Sequence, residues 1–400
     1  MDTNYHEGLH ILLDSDYQDR NCIAVKTSLS NHMVCAYTTT MSSTEQLLSG
    51  VVMSNKGILN LSFPIADLTT HIQQDADIAP VDGTDSFIAV WSSNAAGRGF
   101  HIYMRSFTLD TAGELIDEAI AVQVSQSNGN YFAPRVVYNK ATETVMVMWI
   151  SATEKAIQYK AFRMNANGSF SDASYEASLN DEFKPEYYSL GLDLRNSESL
   201  SIAFLNAGDK VLAVAQKDAN TLGLYTLEPG DGGVVEQVHL SDYSATDIRT
   251  FSVAYDSATP SIKVVYSTTG ITDIYGDSIA YFPGKMPQTI RANPVVLNLG
   301  NQRCSRPAIK RTTPIDSAGN RYFIVAWETM NAGVFYNEFT STWAQVGVEQ
   351  EINRGDIATA SPHIVVTSNQ RLIVVNASHY NAEPLSGKGI LYNVETHQSA

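Results

Sequence analysis

The sequence predicts an all-β fold built from repeated sheet modules, and three observations carry that prediction. One short strand pattern recurs along the whole 400-residue chain, the same companion strands and turns surround each copy, and the last copy lacks a strand that the N-terminal segment can supply. The pattern reads apolar-x-apolar-x-aromatic. Its copies are MVCAY ending at Tyr37, FIAVW at Trp91, VMVMW at Trp149, LSIAF at Phe204, IKVVY at Tyr266, FIVAW at Trp327 and LIVVN at Asn376. Consecutive copies end 49 to 62 residues apart, so seven units fill the chain.

Within each unit the aromatic pattern reads as the second strand. A first strand precedes it, opening on a small residue and often on proline, as at Ala79-Pro80, Ala133-Pro134, Arg306-Pro307 and Ser361-Pro362, with CIAV (22–25), YYSLGL (187–192) and TFSVAY (250–255) as versions without proline. A third strand follows a polar loop, for example FHIYMRSF (100–107), AIQYKAFRM (156–164), VFYNEF (334–339) and GILYNV (389–394). Turn chemistry such as Thr111-Ala112-Gly113 or Asn165-Ala166-Asn167-Gly168 then leads to a weaker fourth strand, such as AIAVQV (119–124). Each unit is thus a four-stranded antiparallel meander.

Such meanders are apolar on both faces and are not stable singly; stacked around an axis, each covers its neighbour. The expectation is a single seven-bladed β-propeller of four-stranded antiparallel blades over residues 1–400. Its blades run roughly over 20–70, 71–126, 127–181, 182–241, 242–299, 300–354 and 355–400. The last blade is completed by a closing strand from residues 8–16. Small residues before the proline, Ala79, Ala133 and Ser361 among them, fit a taper toward the axis, while Trp and Tyr on the second strand fill the wider gap outside.

Composition restricts function. Asp plus Glu number 42 against 26 Lys plus Arg, and a net charge of −16 opposes tracking along nucleic-acid phosphates. No apolar run approaches membrane-spanning length, and the N-terminus lacks the basic and apolar regions of a signal peptide. The expected location is cytoplasmic synthesis followed by association with a virion or export by a non-classical route. Cys22, Cys35 and Cys304 form no CxxC pair and read as buried thiols.

The run P-x-V, V-x-W, I-Y-x-x-x-F and a glycine turn resembles propeller repeats of bacterial and phage surface proteins. The WD dipeptide, the paired glycines of kelch blades and the Ser-x-Asp-x-Gly-x-x-Trp box of sialidases are absent from the sequence. The resemblance therefore implies architecture and no functional residue.

The face carrying the second-to-third loops and the unit-to-unit connections is the expected working surface. Connections such as DSDYQD (14–19), QQDAD (73–77), SNGNYF (127–132) and NDEFKPEYY (180–188) mix carboxylates with aromatics, and STTGITDIYGDS (267–278) is a long second-to-third loop. Tyr17, Tyr131, Phe132, Tyr187, Tyr188, Tyr243 and Tyr275 are the candidate ligand-binding residues, because aromatic faces beside Asp or Asn stack on sugars and hydrogen-bond their hydroxyls. The alternative is that they begin strands and pack between sheets. Asp14, Asp16, Asp19, Asp75 and Asp77 are candidate Ca²⁺ ligands, although the EF-hand pattern with its sixth-position glycine is missing and solvated acidic loops are the plainer reading. No serine-hydrolase elbow, zincin, P-loop or CxxC motif occurs. The expected task is binding or assembly at a cell or virion surface, glycan-recognising or structural, with a surface glycan or protein as partner. The alternative is a polysaccharide hydrolase or lyase whose carboxylates converge from distant units, with Glu328 and Asp209 as conceivable members.

Overall fold

The computed structural model describes residues 5–7, 11–12, 25–27, 29–30, 32–42, 44–54, 57–66, 71–95, 99–125, 129–153, 156–178, 202–207, 210–218, 221–227, 234–242, 248–268, 273–281, 294–298, 303–312, 322–329, 333–352, 357–366, 370–379 and 389–396. All assigned elements are strands. After β1 (Tyr5–Glu7) and β2 (Ile11–Leu12), the first meander contains β3 (Val25–Thr27), β4 (Met33–Ser42), β5 (Glu45–Ser54) and β6 (Gly57–Pro64). The second contains β7 (Gln73–Pro80), β8 (Ser86–Ser93), β9 (His101–Leu109), β10 (Leu115–Glu118) and β11 (Val122–Gln123), the last two both pairing with β9. Next come β12 (Tyr131–Asn139), β13 (Thr144–Ser151), β14 (Ala156–Met164) and β15 (Phe170–Ser178), then β16 (Ile202–Ala207), β17 (Lys210–Asp218), β18 (Thr221–Leu227) and β19 (Val234–Asp242). The chain continues through β20 (Ile248–Asp256), β21 (Ser261–Thr268), β22 (Ile274–Ala280) and β23 (Val295–Val296) to β24 (Cys304–Arg311), β25 (Tyr322–Thr329), β26 (Gly333–Thr340) and β27 (Gln350–Ile352). The final meander is β28 (Ile357–Val366), β29 (Gln370–His379) and β30 (Gly389–Thr396), and β1 and β2 both pair with β30.

The all-β expectation holds at that level, but its detailed form is corrected. Among the described residues five blades have the expected four-stranded build, not seven; the sheets containing β9 and β30 have five strands each. In both cases two short segments share one neighbour, where a single fourth strand was expected. Of the expected closing segment 8–16 only Ile11–Leu12 lies among the described residues, and it pairs with β30, as does Tyr5–Glu7 ahead of that segment. LSIAF is also displaced: its described residues Ile202–Phe204 lie in β16, the first described strand of its sheet, and β17 supplies the second, while the expected first strand 187–192 lies outside the described residues.

The strands divide between two compact units. One comprises residues 18–218 and 222–239, the other residues 1–17, 219–221 and 240–400. In the first, Trp91 joins Val34, Phe63 and Phe87 in one apolar layer, and Trp149 joins Ile88, Val90 and Val145 in the next. In the second, Trp327 packs with Val265, Phe323 and Trp343. Each tryptophan of the second strands thus faces the preceding sheet, and burying it there accounts for the repeated aromatic.

The turn between third and fourth strands repeats as well. In Asp110–Glu114 and Asn165–Ser169 the first and last residues bond through their backbones, and the fourth position is a glycine at positive φ, Gly113 at 86° and Gly168 at 78°. The turn Thr340–Ala344 has the same bonds, yet Trp343 stands at that position with φ 66°. A tryptophan is strained there. Its indole is buried against Phe323 and Phe339, and a Cβ on Gly276 would come within 3.0 Å of the indole ring.

Candidate functional site

The site begins with the register of the first strands. On β7 the pairing steps from Gln74 opposite Ser92 to Asp77 opposite Val90, on β12 from Phe132 opposite Ile150 to Arg135 opposite Met148, and on β24 from Ser305 opposite Glu328 to Ala308 opposite Ala326. Two residues therefore oppose each of Trp91, Trp149 and Trp327. These are β-bulges, and their first residues have positive φ: Asp75 at 56°, Ala133 at 49° and Arg306 at 48°. Register also shifts in β20, between Ile248 opposite Thr268 and Thr250 opposite Ser267, and in β28, between Ala360 opposite Asn376 and His363 opposite Val374. Proline suits such a place because a bulge leaves one amide outside the ladder.

This finding corrects the alignment of the first strands. The counterpart of Ala133-Pro134 in the second meander is Asp75-Ala76, whereas Ala79 and Pro80 pair normally with Ile88 and Phe87. Backbone conformation at the bulge, rather than a taper in side-chain size, defines the repeated position. Arg306 at a site held elsewhere by Ala133 is then no anomaly of volume.

The bulges also set how one first strand fastens to the next. A first strand is a sheet edge whose outward amides need partners. Val136 N, three residues beyond Ala133, donates to Asp77 Oδ2 at 3.0 Å. Ile309 N, three residues beyond Arg306, donates to Ser252 Oγ at 3.3 Å, and Arg306 N donates to Thr250 Oγ1 at 3.2 Å. Neighbouring connections are pinned in the same way: Asn94 Oδ1 accepts from Ile72 N, Asn130 Oδ1 from Phe100 N and Asn298 Oδ1 from Ile274 N, each at 2.8 Å.

Several candidate residues fall on these fastenings. Asp75 and Asp77 belong to β7, not to a loop, because the strand starts at Gln73; Asp75 is buried and one carboxylate oxygen of Asp77 is engaged by Val136 N. Among the described residues no group of three or more His, Cys, Asp or Glu is arranged to hold a metal. Tyr131 and Phe132 open β12 and are 2% and 6% exposed. The Tyr131 ring stands edge-on to Trp149 at 6.4 Å and tilted to His101 at 6.0 Å, and any side chain on Gly129 would collide with it. Phe132 packs on Phe100 at 5.4 Å. Both are packing groups as placed.

Tyr275 lies within β22, since the loop after β21 is shorter than the expected 267–278 segment. It is half-buried and stacks on Tyr266 at 5.4 Å; burial raises its phenol pKa, with Asp273 adding to the rise. Tyr17, Tyr187, Tyr188, Tyr243, Asp14, Asp16, Asp19 and Asp209 lie outside the described residues.

At the bulge end of β24, Arg306 Nη1 meets Glu328 Oε2 at 3.0 Å, with the two side chains 30% and 18% exposed. Thr250 Oγ1, which holds the Arg306 amide, also bonds Ser267 Oγ at 2.7 Å. The pairing of these residues was missed in the sequence because a bulge without glycine has no signature of its own. The proline after Arg306 was the available signal.

A second polar cluster lies between the second and third strands near the turn Thr340–Ala344. Lys263 is buried, and its Nζ donates to Ser278 Oγ at 2.8 Å and Ser341 O at 2.6 Å. Trp343 Nε1 also donates to Ser278 Oγ, at 2.9 Å. Desolvation lowers the Lys263 pKa, partly opposed by Asp256 and Asp277. In the second meander, Ser106 occupies the position of Ser278 and donates from Oγ to Gly168 O at 2.6 Å. The shared placement makes this cluster a clamp between adjacent sheets.

No family model and no curated protein matches the chain. Among solved structures, the β-propeller domain of Myceliophteria thermophila Cps50 (Swd1) is similar, with TM-score 0.51 and 10% identity over 98% of this chain and 100% of that one. The fold is a β-propeller. A Trypanosoma rangeli sialidase in complex with the inhibitor DANA is similar at TM-score 0.50 and 9% identity over 97% of this chain, which spans 59% of that one. At these identities the propeller likeness is one of fold alone, and no matched sequence ties the chain to bacterial or phage surface proteins. Among the described residues no helix is long and apolar enough to cross a membrane.

Proposed function

We propose that this propeller is a non-catalytic glycan-binding module that engages its ligand at the bulged ends of its first strands. The observation supporting this reading is that one backbone feature carries different side chains. Asp75, Ala133 and Arg306 all sit at positive φ opposite a buried tryptophan. Asp75 and Ala133 are buried, whereas Arg306 keeps 30% of its side chain in solvent, so in the unit holding residues 240–400 a fixed backbone presents a charged group with little ordering left to be done on binding. The test is a glycan array with the intact chain, followed by a reducing-end assay on every glycan bound. Binding without turnover supports the reading; sustained turnover replaces it with a polysaccharide hydrolase or lyase.

A second reading, a structural part of a surface or virion assembly, is favoured by exposed β-branched residues along outer sheet edges. Val295 and Val296 on β23, Val346 and Val348 before β27, Ile116 on β10 and Ile120 just after it are all solvent-facing. Array silence together with co-purification in a particle selects this reading.

A further inference from the structure

Glycine is the residue that a backbone at positive φ favours, and the chain uses it at Gly113 and Gly168. At the bulge of β24 it carries Arg306 instead, at φ 48°. A long charged side chain in a strained pose points to a role for the side chain, since the fold itself would be better served without it. The adjoining first strands β20 and β28 also shift register, but among the described residues of the three only Arg306 takes a positive φ there.

We propose that the bulge of β24, in the unit holding residues 240–400, binds an acidic saccharide, with Arg306 receiving the sugar carboxylate and Glu328 accepting from neighbouring hydroxyls. The inference rests on the glycan-binding reading and names its ligand class. Arg306 is held from two sides, its amide by Thr250 Oγ1 and its guanidinium by Glu328, so the group is pre-positioned while 30% of its side chain meets solvent. A planar guanidinium suits a carboxylate, which it can engage through two parallel N–H groups. The adjacent Glu328 opposes a dianion more strongly than a monoanion and offers acceptor oxygens to donors. One carboxylate among hydroxyls fits that combination, and a uronic acid carries it.

The test titrates oligogalacturonate, a matched neutral oligosaccharide and inorganic phosphate into the wild-type chain, Arg306→Gly and Glu328→Gln, with melting temperatures measured in parallel. Arg306→Gly removes the side chain and relieves the backbone, so it is expected to melt no lower than wild type while its oligogalacturonate affinity falls about 10- to 100-fold, the loss of a charged hydrogen bond. Glu328→Gln removes a charge that opposes the sugar carboxylate but leaves a weaker acceptor for the hydroxyls, so it is expected to change oligogalacturonate affinity by no more than about threefold and to narrow the preference over phosphate. Unchanged oligogalacturonate affinity in Arg306→Gly overturns the inference, as does tighter binding of phosphate than of oligogalacturonate. Binding of the neutral saccharide alone overturns it while leaving the glycan reading in place; failure of every saccharide overturns both. A lower melting temperature for Arg306→Gly with no acidic saccharide bound by wild type makes Arg306 a structural ion pair and also overturns it.

Discussion

Replacing Trp343 by glycine sets two opposing effects against each other. The substitution relieves a positive φ of 66°, worth about 1–2 kcal/mol for a residue with a Cβ. It also deletes an indole that is 8% exposed and packs on Phe323, Phe339 and Gly276, and truncating a buried tryptophan costs about 3–5 kcal/mol. Burial wins by about 1–4 kcal/mol. Trp343→Ala loses the same contacts without the backbone relief, so it should be less stable than Trp343→Gly by about 1 kcal/mol. Urea unfolding followed by tryptophan fluorescence and circular dichroism measures both. A glycine variant as stable as wild type, or an alanine variant more stable than the glycine one, would refute the argument that packing holds Trp343 in a strained turn.

Lys263→Met tests the buried clamp. The folded pKa of Lys263 lies below the unfolded value of 10.5, so the unfolded chain holds more protons in the interval between them. Wild-type stability relative to Lys263→Met should therefore rise with pH across that interval, with the desolvation cost fully present below it; a difference independent of pH contradicts this. Asp77→Ala should leave the Val136 amide without its 3.0 Å acceptor, costing about 1–3 kcal/mol and speeding exchange at that amide. Exchange at Val136 as slow as in wild type would remove the strand-to-strand fastening from the account. Burial raises the thiol pKa of Cys35 and pushes that of Cys304 up to about 12, so neither should react with Ellman's reagent at pH 8 in the native chain. Rapid labelling of either would show its surroundings to be open.

Repeats of alternating apolar residues are legible because a buried strand needs them, and FIAVW, VMVMW and FIVAW lie in second strands as the pattern requires. LSIAF misled because the same alternation serves a first strand equally well, and only the pairing of Phe204 with Ala213 distinguishes the two. Fourth strands were hard to place because they are short and partly exposed, as β11 and β23 are. The candidate site was less legible still. Proline marked the bulges at Ala133 and Arg306, but Asp75-Ala76 adopts the same geometry without it. Tyr131 and Phe132 are read from sequence as loop aromatics only while the start of β12 is unknown; once the strand begins at Tyr131, alternation and packing claim them.

Hydrogen–deuterium exchange of the intact chain, with and without saturating oligogalacturonate, bears most directly on where this propeller binds. The account predicts slowed exchange at residues 248–252 and 304–309, where the bulges of β20 and β24 adjoin. Protection confined to Val295–Val296 and residues 346–348, along the exposed outer edges, would contradict it.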